Sequence, residues 1–206
     1  MEQRLRGECR VGAVCCRNEM RGSVWGRGWR EAFWVIEILE TCEKDLGDVQ
    51  RLWADGDVMR FVGFPEGLRQ SDEEMGQWYE WILRSRPRVN HYSVFEDGVF
   101  CGETFHRIDE KRGNGAAVDI KLFAFARGRG IAARALSFAM EEAFRQGASR
   151  VWVDPNPLNE KAIRLYERLG FVRREMPEDL RASEGEKTSA EAGAGKRDEL
   201  VKRSLC

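Results

Sequence analysis

Apolar residues recur along this chain at two different periods, and the switches between them outline its elements. Phe33 to Leu39 is rich in aromatic and β-branched residues and reads as a strand. From Asp45 to Trp53, Leu46, Val49, Leu52 and Trp53 fall at helical spacing. A second helix starts at Ser71, where Ser71-Asp72-Glu73-Glu74 forms a capping box ahead of Trp78, Trp81 and Ile82. Between these helices, Asp57 to Leu68 is a Gly/Pro-punctuated loop with several large apolar residues, which either fill a gap in the core or line a pocket.

Tyr92 to Phe95 and Val99 to Ile108 flank Glu96-Asp97-Gly98 and predict a hairpin. A third strand, Val118 to Phe125, follows the polar Asp109–Gly115 turn. Gly130 to Gln146 carries Ile131, Ala135, Leu136, Ala139, Met140 and Ala143 on one stripe and stops at Gly147, so it reads as a helix. Arg150 to Val153 reads as a short buried strand, Asn159 to Leu169 as a helix, and Phe171 to Arg174 as a strand after Gly170. The order β-α-α-β-β-β-α-β-α-β is that of a mixed α/β domain, an antiparallel meander leading into a βαβ unit.

The ends lack such periodicity. Residues 1–31 hold seven arginines and several glycines, but Glu2, Glu8, Glu19 and Glu31 speak against a mitochondrial presequence. They read as a flexible extension, or as translation from an upstream start with Met20 as an internal one. Ala182 to Lys196 is rich in Ala, Gly, Glu and Ser and reads as a mobile linker within a tail at 177–206. Residues 199–205 are expected to return as an edge strand.

Composition narrows the class. The 206 residues are 42% hydrophobic and 33% charged, which is apolar enough to exclude wholesale disorder. With 34 basic and 35 acidic side chains the net charge is -1, so a nucleic-acid partner is not expected. No run approaches the length of a membrane span, so no membrane partner is expected either. Cys9, Cys15, Cys16, Cys42, Cys101 and Cys206 show no CxxC spacing, and only His91 and His106 could assist; no metal site is expected. Without a secretory signal the cysteines read as reduced thiols of a cytoplasmic protein, monomeric or homodimeric.

The most informative chemistry lies at Phe125-Ala-Arg-Gly-Arg-Gly-Ile-Ala-Ala-Arg-Ala-Leu136, where a strand end, a glycine loop and a helix start follow at once. The first helical turn leaves N–H groups unpaired at the positive end of the helix dipole, which suits an anion. Gly128 and Gly130 let the backbone approach a ligand, and Arg127, Arg129 and Arg134 add charge. Gly130-Ile131-Ala132 is not the Gly-Lys-Ser/Thr of a P-loop, and an antiparallel meander argues against a dinucleotide fingerprint. The pyrophosphate of coenzyme A remains, beside a turn that merely joins two elements.

Val153-Asp-Pro-Asn-Pro-Leu-Asn-Glu-Lys-Ala-Ile-Arg-Leu-Tyr-Glu-Arg-Leu-Gly-Phe171 resembles the closing motif of the GNAT N-acetyltransferases, with Asn159, Ala162, Tyr166, Gly170 and Phe171 in place. The glycine loop is similar to that family's acetyl-CoA motif, as Arg127-x-x-Gly130-x-Ala132. The resemblance covers roughly residues 33–175 and implies a GNAT domain over 32–176, with a mostly antiparallel sheet and a βαβ unit that binds acetyl-CoA. Within the family, the aminoglycoside 6′-N-acetyltransferases look alike in the Asp154-Pro-x-Pro-x-Asn159 run and in an aspartate, Asp119, eight residues before Arg127.

The resemblance implies transfer of an acetyl group from acetyl-CoA to a primary amine: an aminosugar, a polyamine or siderophore amine, or a protein N-terminus. Contacts to acetyl-CoA are implied for Leu122, Phe123, Ala124, Arg127, Gly128, Arg129, Gly130, Ile131, Ala132, Asn159, Ala162 and Tyr166. The chemistry needs a proton acceptor for the amine, a donor for the oxyanion and a donor for the departing thiolate. Tyr166 is the family's residue for the last role, or else a buried aromatic of its helix. Asp119, on one strand face with Lys121 and Phe123, deprotonates the amine or binds it as a cation. Glu103 is either a further catalytic carboxylate or the partner of Lys121 in an ion pair, and His106 ranks behind both. Two other classes compete: a CoA-binding sensor without transferase activity, and an RNA-contacting protein using Arg27–Arg30 and Arg127–Arg129.

Overall fold

The computed structural model describes residues 14–17, 35–175 and 198–203. Strands β1 (Val14–Arg17), β2 (Val35–Glu40), β3 (Val89–Glu96), β4 (Val99–Asp109), β5 (Gly115–Leu122), β6 (Arg150–Val153), β7 (Val172–Glu175) and β8 (Asp198–Arg203) share a single sheet. Their order across it is β1-β2-β3-β4-β5-β6-β8-β7, and β5–β6 is the parallel pair in an otherwise antiparallel ladder. The helices are α1 (Leu46–Trp53), α2 (Gly56–Met59), α3 (Asp72–Ser85), α4 (Ile131–Arg145) and α5 (Glu160–Arg168).

Local chemistry explains the punctuation. Asp97 and Gly98 have φ of 50° and 78°, the geometry of a two-residue hairpin turn whose twist matches its strands. Asp97 also anchors the start of β2, donating its N–H to Val35 O at 2.9 Å and accepting from Val35 N at 3.0 Å. The capping box at α3 forms as the sequence predicts: Glu74 N donates to Ser71 Oγ at 3.3 Å, and Ser71 N to Glu74 Oε2 at 2.7 Å.

Strand alternation then splits the core. Ala116, Val118 and Leu122 of β5 are buried on the face covered by α4 and α5, together with Leu136, Met140 and Tyr166. Each large side chain buried there contributes about 1.5–3 kcal/mol. On the other face α1, α2 and α3 pack Val49, Leu52, Val58, Met59 and Met75 against Phe100. The apolar loop of 57–68 therefore fills core through Val58 and Met59, while Val62 and Phe64 stay exposed.

Three expectations need correcting. The third meander strand spans 115–122, not 118–125; after Leu122 the chain turns into a 3-10 helix at Ala124–Ala126. Residues 14–17, expected in a flexible extension, pair with β2 from Val14 opposite Ile38 to Arg17 opposite Val35. The C-terminal strand is not an edge. Val201 pairs with Trp152 of β6 and Val172 of β7, which seats β8 between them, and Leu200 and Val201 are buried. The remainder of the 1–31 extension and the linker expected at 182–196 lie outside the described residues.

Candidate active site

The parallel pairing of β5 with β6 covers only Gly115–Ala117 against Arg150–Trp152. Beyond it β5 continues to Leu122 beside β4, whereas β6 ends at Val153, so the two strands part. Backbone groups on that side of β5 fall outside the sheet ladder and are open to a ligand. The chain then passes through Phe123, whose N–H donates to Cys101 O at 3.0 Å, and through Ala124 into the glycine loop. An open strand edge thus runs directly into a helix N-terminus.

At that N-terminus Gly128 and Gly130 have φ of 78° and 81°, a region in which an L side chain is strained. A Cβ built at either would meet nothing within 4 Å, so both border open space. Gly130 caps α4 without any side-chain hydrogen bond. The N–H groups of Ile131, Ala132 and Ala133 consequently lack intrahelical acceptors, at the positive end of a 15-residue helix. The Ile131 side chain itself is core, so only its backbone faces the loop.

The arginine side chains are engaged within the protein. Arg127 Nε donates to Leu122 O at 3.0 Å and its Nη2 to Asp57 O at 3.3 Å, bracing the loop against β5 and α2. Arg129 Nη1 lies 2.7 Å from Glu96 Oε2 at the end of β3. These two side chains clamp the loop to the sheet instead of standing free beside it.

On α5, Asn159 Oδ1 accepts from Ala162 N at 3.2 Å, the N-cap bond that starts the helix. Two turns on, Tyr166 is buried edge-on to Phe171, with ring centroids 5.7 Å apart. Burial raises its phenol well above the ordinary range, and Asp119 and Asp154 push the same way. Those two aspartates each stand two residues past the last β5–β6 pair, Ala117 and Trp152, where the strands part.

The other face of β4 and β5 carries a buried charge cluster. Glu103 and Lys121 are register partners, with Nζ 3.1 Å from Oε1. Lys121 Nζ also lies 2.6 Å from Asp119 Oδ2, and Asp119 Oδ1 accepts from Ile120 N at 2.8 Å. Trp53 Nε1 of α1 donates to both Glu103 oxygens, at 2.9 and 3.0 Å. His91 Nε2 stands 3.0 Å from Glu103 Oε2. Its Nδ1 lies 2.7 Å from Thr41 Oγ1, which continues through Ser93 Oγ to Asp45 Oδ2. Burial alone would raise the Glu103 carboxyl; Lys121 and His91 outweigh it and hold the group down to about 2. Burial likewise works against the Lys121 ammonium, but Asp119 and Glu103 raise its pKa. Asp119 is the cluster's most accessible carboxylate, with its side chain 31% exposed.

Above this cluster lies a slot of about 150 Å³ between α1, α3 and the sheet, lined by Trp53, Trp78, Trp81 and Phe105 together with His91, Glu103 and Lys121. A larger cavity of about 330 Å³ lies between α5 and the β7–β8 side of the sheet, lined by Glu160, Ile163, Arg164, Glu167, Arg173 and Leu200. His106 is separate from the charge cluster. It is buried on the α4 face with Nε2 3.1 Å from Pro87 O, and burial lowers its pKa. Sequence reasoning missed His91, Trp53 and Trp78. Strand alternation with Glu103 could have flagged His91, which pairs with Phe105 beside it. Among the described residues no group of three or more His, Cys, Asp or Glu is placed to hold a metal ion, and no helix is long and apolar enough to cross a membrane.

Known proteins agree with this geometry. The family model described as "Acetyltransferase (GNAT) domain" matches residues 36–172. A GNAT-family acetyltransferase from Streptococcus pneumoniae superposes with a TM-score of 0.65 at 19% identity, covering 82% of this chain and 99% of that one. A ribosomal-protein-alanine N-acetyltransferase from Brucella melitensis gives 0.62 at 20% identity over 81% and 99%. The spermidine N-acetyltransferase from Vibrio cholerae, solved with CoA and spermine, gives 0.62 at 17% identity over 81% and 92%. At these identities the likeness is one of fold. No curated protein sequence is significantly similar to this chain.

Proposed function

The chain belongs to the GNAT acetyltransferase family, and on that premise we propose that it transfers the acetyl group of acetyl-CoA to a primary amine. The observation that carries this reading is the junction of the open β5 edge with the uncapped start of α4. The residues present fit the cosubstrate. Phosphate oxygens can take the first-turn N–H groups of α4 where Gly128 and Gly130 leave room, and the pantetheine arm can lie along β5 past Leu122, Phe123 and Ala124. Arg127 and Arg129 act by holding the loop in shape, and Asn159 and Ala162 by starting the helix that carries Tyr166.

The amine nitrogen, once neutral, attacks the thioester carbonyl carbon, and a backbone N–H on the open side of β5 stabilises the oxyanion. The C–S bond then breaks and CoA departs as its thiol. Tyr166 assists that departure. Its raised pKa keeps the hydroxyl protonated, so it donates a hydrogen bond to sulfur ahead of any full proton transfer. Asp119 binds the acceptor ammonium beside the cleft, while Glu103 and Lys121 fix the orientation of Asp119. Of the two protons that the acceptor nitrogen gives up, the first leaves to water and the second ends on the CoA sulfur by way of the Tyr166 hydroxyl.

The acceptor is a primary amine. Names of structural neighbours support two kinds, a polyamine and the α-nitrogen of a protein. The aminoglycoside likeness rests on the Asp154–Asn159 run and on Asp119; the local geometry of the run is accounted for by turn and cap bonds, Leu158 N to Asn156 Oδ1 at 2.9 Å and the Asn159 cap itself. A CoA-binding module without transfer would keep the loop but gain nothing from the Asp119 and Tyr166 placements. Calorimetric titration with acetyl-CoA tests the premise. One binding event is expected, and Gly130→Asp, which sets a carboxylate where phosphate lies, should abolish it. No heat from the native chain would overturn the proposal.

A further inference from the structure

We propose that the slot between α1, α3 and the sheet receives the uncharged apolar side group of an acceptor α-amine, with Asp119 holding the ammonium. The inference rests on the acetyl-transfer reading above and narrows its acceptor.

Size and walls point this way first. Six of the ten residues lining the slot of about 150 Å³ are apolar, three of them tryptophans, and that volume suits a benzene-sized group. The walls are already in place. Trp53 is pinned by Glu103 through its Nε1, Trp78 meets Trp53 edge to face at 4.9 Å, and Trp78 meets His91 at 4.8 Å and 90°. A pre-shaped pocket binds without first ordering its own side chains.

Charge decides what enters. Both Glu103 oxygens are engaged, by Lys121 and Trp53 on one and by Trp53 beside His91 on the other. Lys121 is itself held between Glu103 and Asp119. A second ammonium inside the slot would face Lys121 and Arg107 together, whereas at Asp119, 31% exposed, it shares a carboxylate with Lys121 alone and keeps part of its water. A hydroxyl or carboxylate would lose water among indole rings. A hydrocarbon group has no polar hydration of its own to lose on entry.

Register fixes the placement. Phe105 of the slot wall pairs directly with Asp119 across β4 and β5. Paired residues stand about 4.5–5.5 Å apart at Cα, so Asp119 is a direct neighbour of the slot wall. An α-amine at Asp119 therefore presents its side group to the slot. Polyamines and aminosugars, whose amines sit among further cations and hydroxyls, do not fit.

The test is initial-rate thiol release by the full-length chain from acetyl-CoA, with acetyl-CoA binding measured separately by calorimetry. Acceptors are short peptides differing only in a first residue of Leu, Phe, Ser, Asp or Lys, together with leucinamide, spermidine and an aminoglycoside. Leu and Phe peptides should exceed Ser and Asp peptides in kcat/KM by about tenfold or more, the scale of a filled hydrophobic pocket. Trp81→Ala, at a half-exposed wall position, should shrink that ratio to below about threefold. A peptide outpacing leucinamide assigns the source to a chain terminus, and the reverse assigns it to a free amino-acid derivative; either supports the slot. Spermidine or the aminoglycoside matching the Leu peptide, equal rates for Leu and Ser, or an unchanged ratio in Trp81→Ala would overturn it while acetyl-CoA binding stands. Absence of that binding would overturn the acetyl-transfer reading, and this inference with it.

Discussion

Glu103 and Lys121, opposite one another on β4 and β5, form an ion pair with Oε1 3.1 Å from Nζ and their side chains only 2% and 12% exposed. A pair so far out of water is costly to break, because the survivor keeps its charge and loses its partner. Glu103→Gln should therefore lower unfolding free energy by about 3 kcal/mol, near the low end of the range for such changes since Asp119 still holds Lys121.

The same pair sets a pH dependence. The Glu103 carboxyl is held down to about 2 in the folded chain, below its ordinary value. Its stabilising contribution is present above an unfolded value of about 4.3 and is lost as pH falls towards 2. Urea midpoints measured between those limits should fall less steeply with acid in Glu103→Gln than in the native chain.

Tyr166→Phe removes one hydroxyl from a buried ring that still packs against Phe171. Folding and acetyl-CoA affinity should persist while kcat falls by about 10²-fold, the scale of a positioned proton donor. Wild-type kcat in this variant would return Tyr166 to the core.

Asp119→Asn separates binding from proton transfer. If Asp119 holds the ammonium, KM for a cationic acceptor rises while kcat at saturation is largely kept. A fall confined to kcat, partly recovered at high pH where free amine is abundant, would make it the base instead.

Much of this was legible locally. Ser71 through Glu74, the Asp97-Gly98 turn, the stripe of α4 and the glycine loop each depend on neighbours within one or two turns, and all lie where the pattern predicts. The pairing of Glu103 with Lys121 followed from hairpin register. Other features depend on partners distant in sequence. Trp53 reaches Glu103 only because α1 crosses β4, fifty residues away. Arg127 and Arg129 read from the sequence as charge beside the loop, whereas their contacts to Asp57 and Glu96 lie far from it along the chain. The final strand reads as an edge because the sequence does not reveal that β7 lies beyond it.

That strand makes its own prediction. Leu200 is 2% exposed within the α4–α5 core, so Leu200→Ala should cost about 2–5 kcal/mol by chemical denaturation. A change below about 0.5 kcal/mol, typical of a surface site, would mean the C-terminal segment does not seat between β6 and β7.

The most direct test of the account is release of CoA thiol from acetyl-CoA by the full-length chain, followed with and without a primary amine and paired with mass analysis of the amine. The account predicts thiol release that depends on the amine, one N-acetyl product per CoA freed, and loss of both in Gly130→Asp. Thiol release no faster than spontaneous hydrolysis with every class of amine would contradict it.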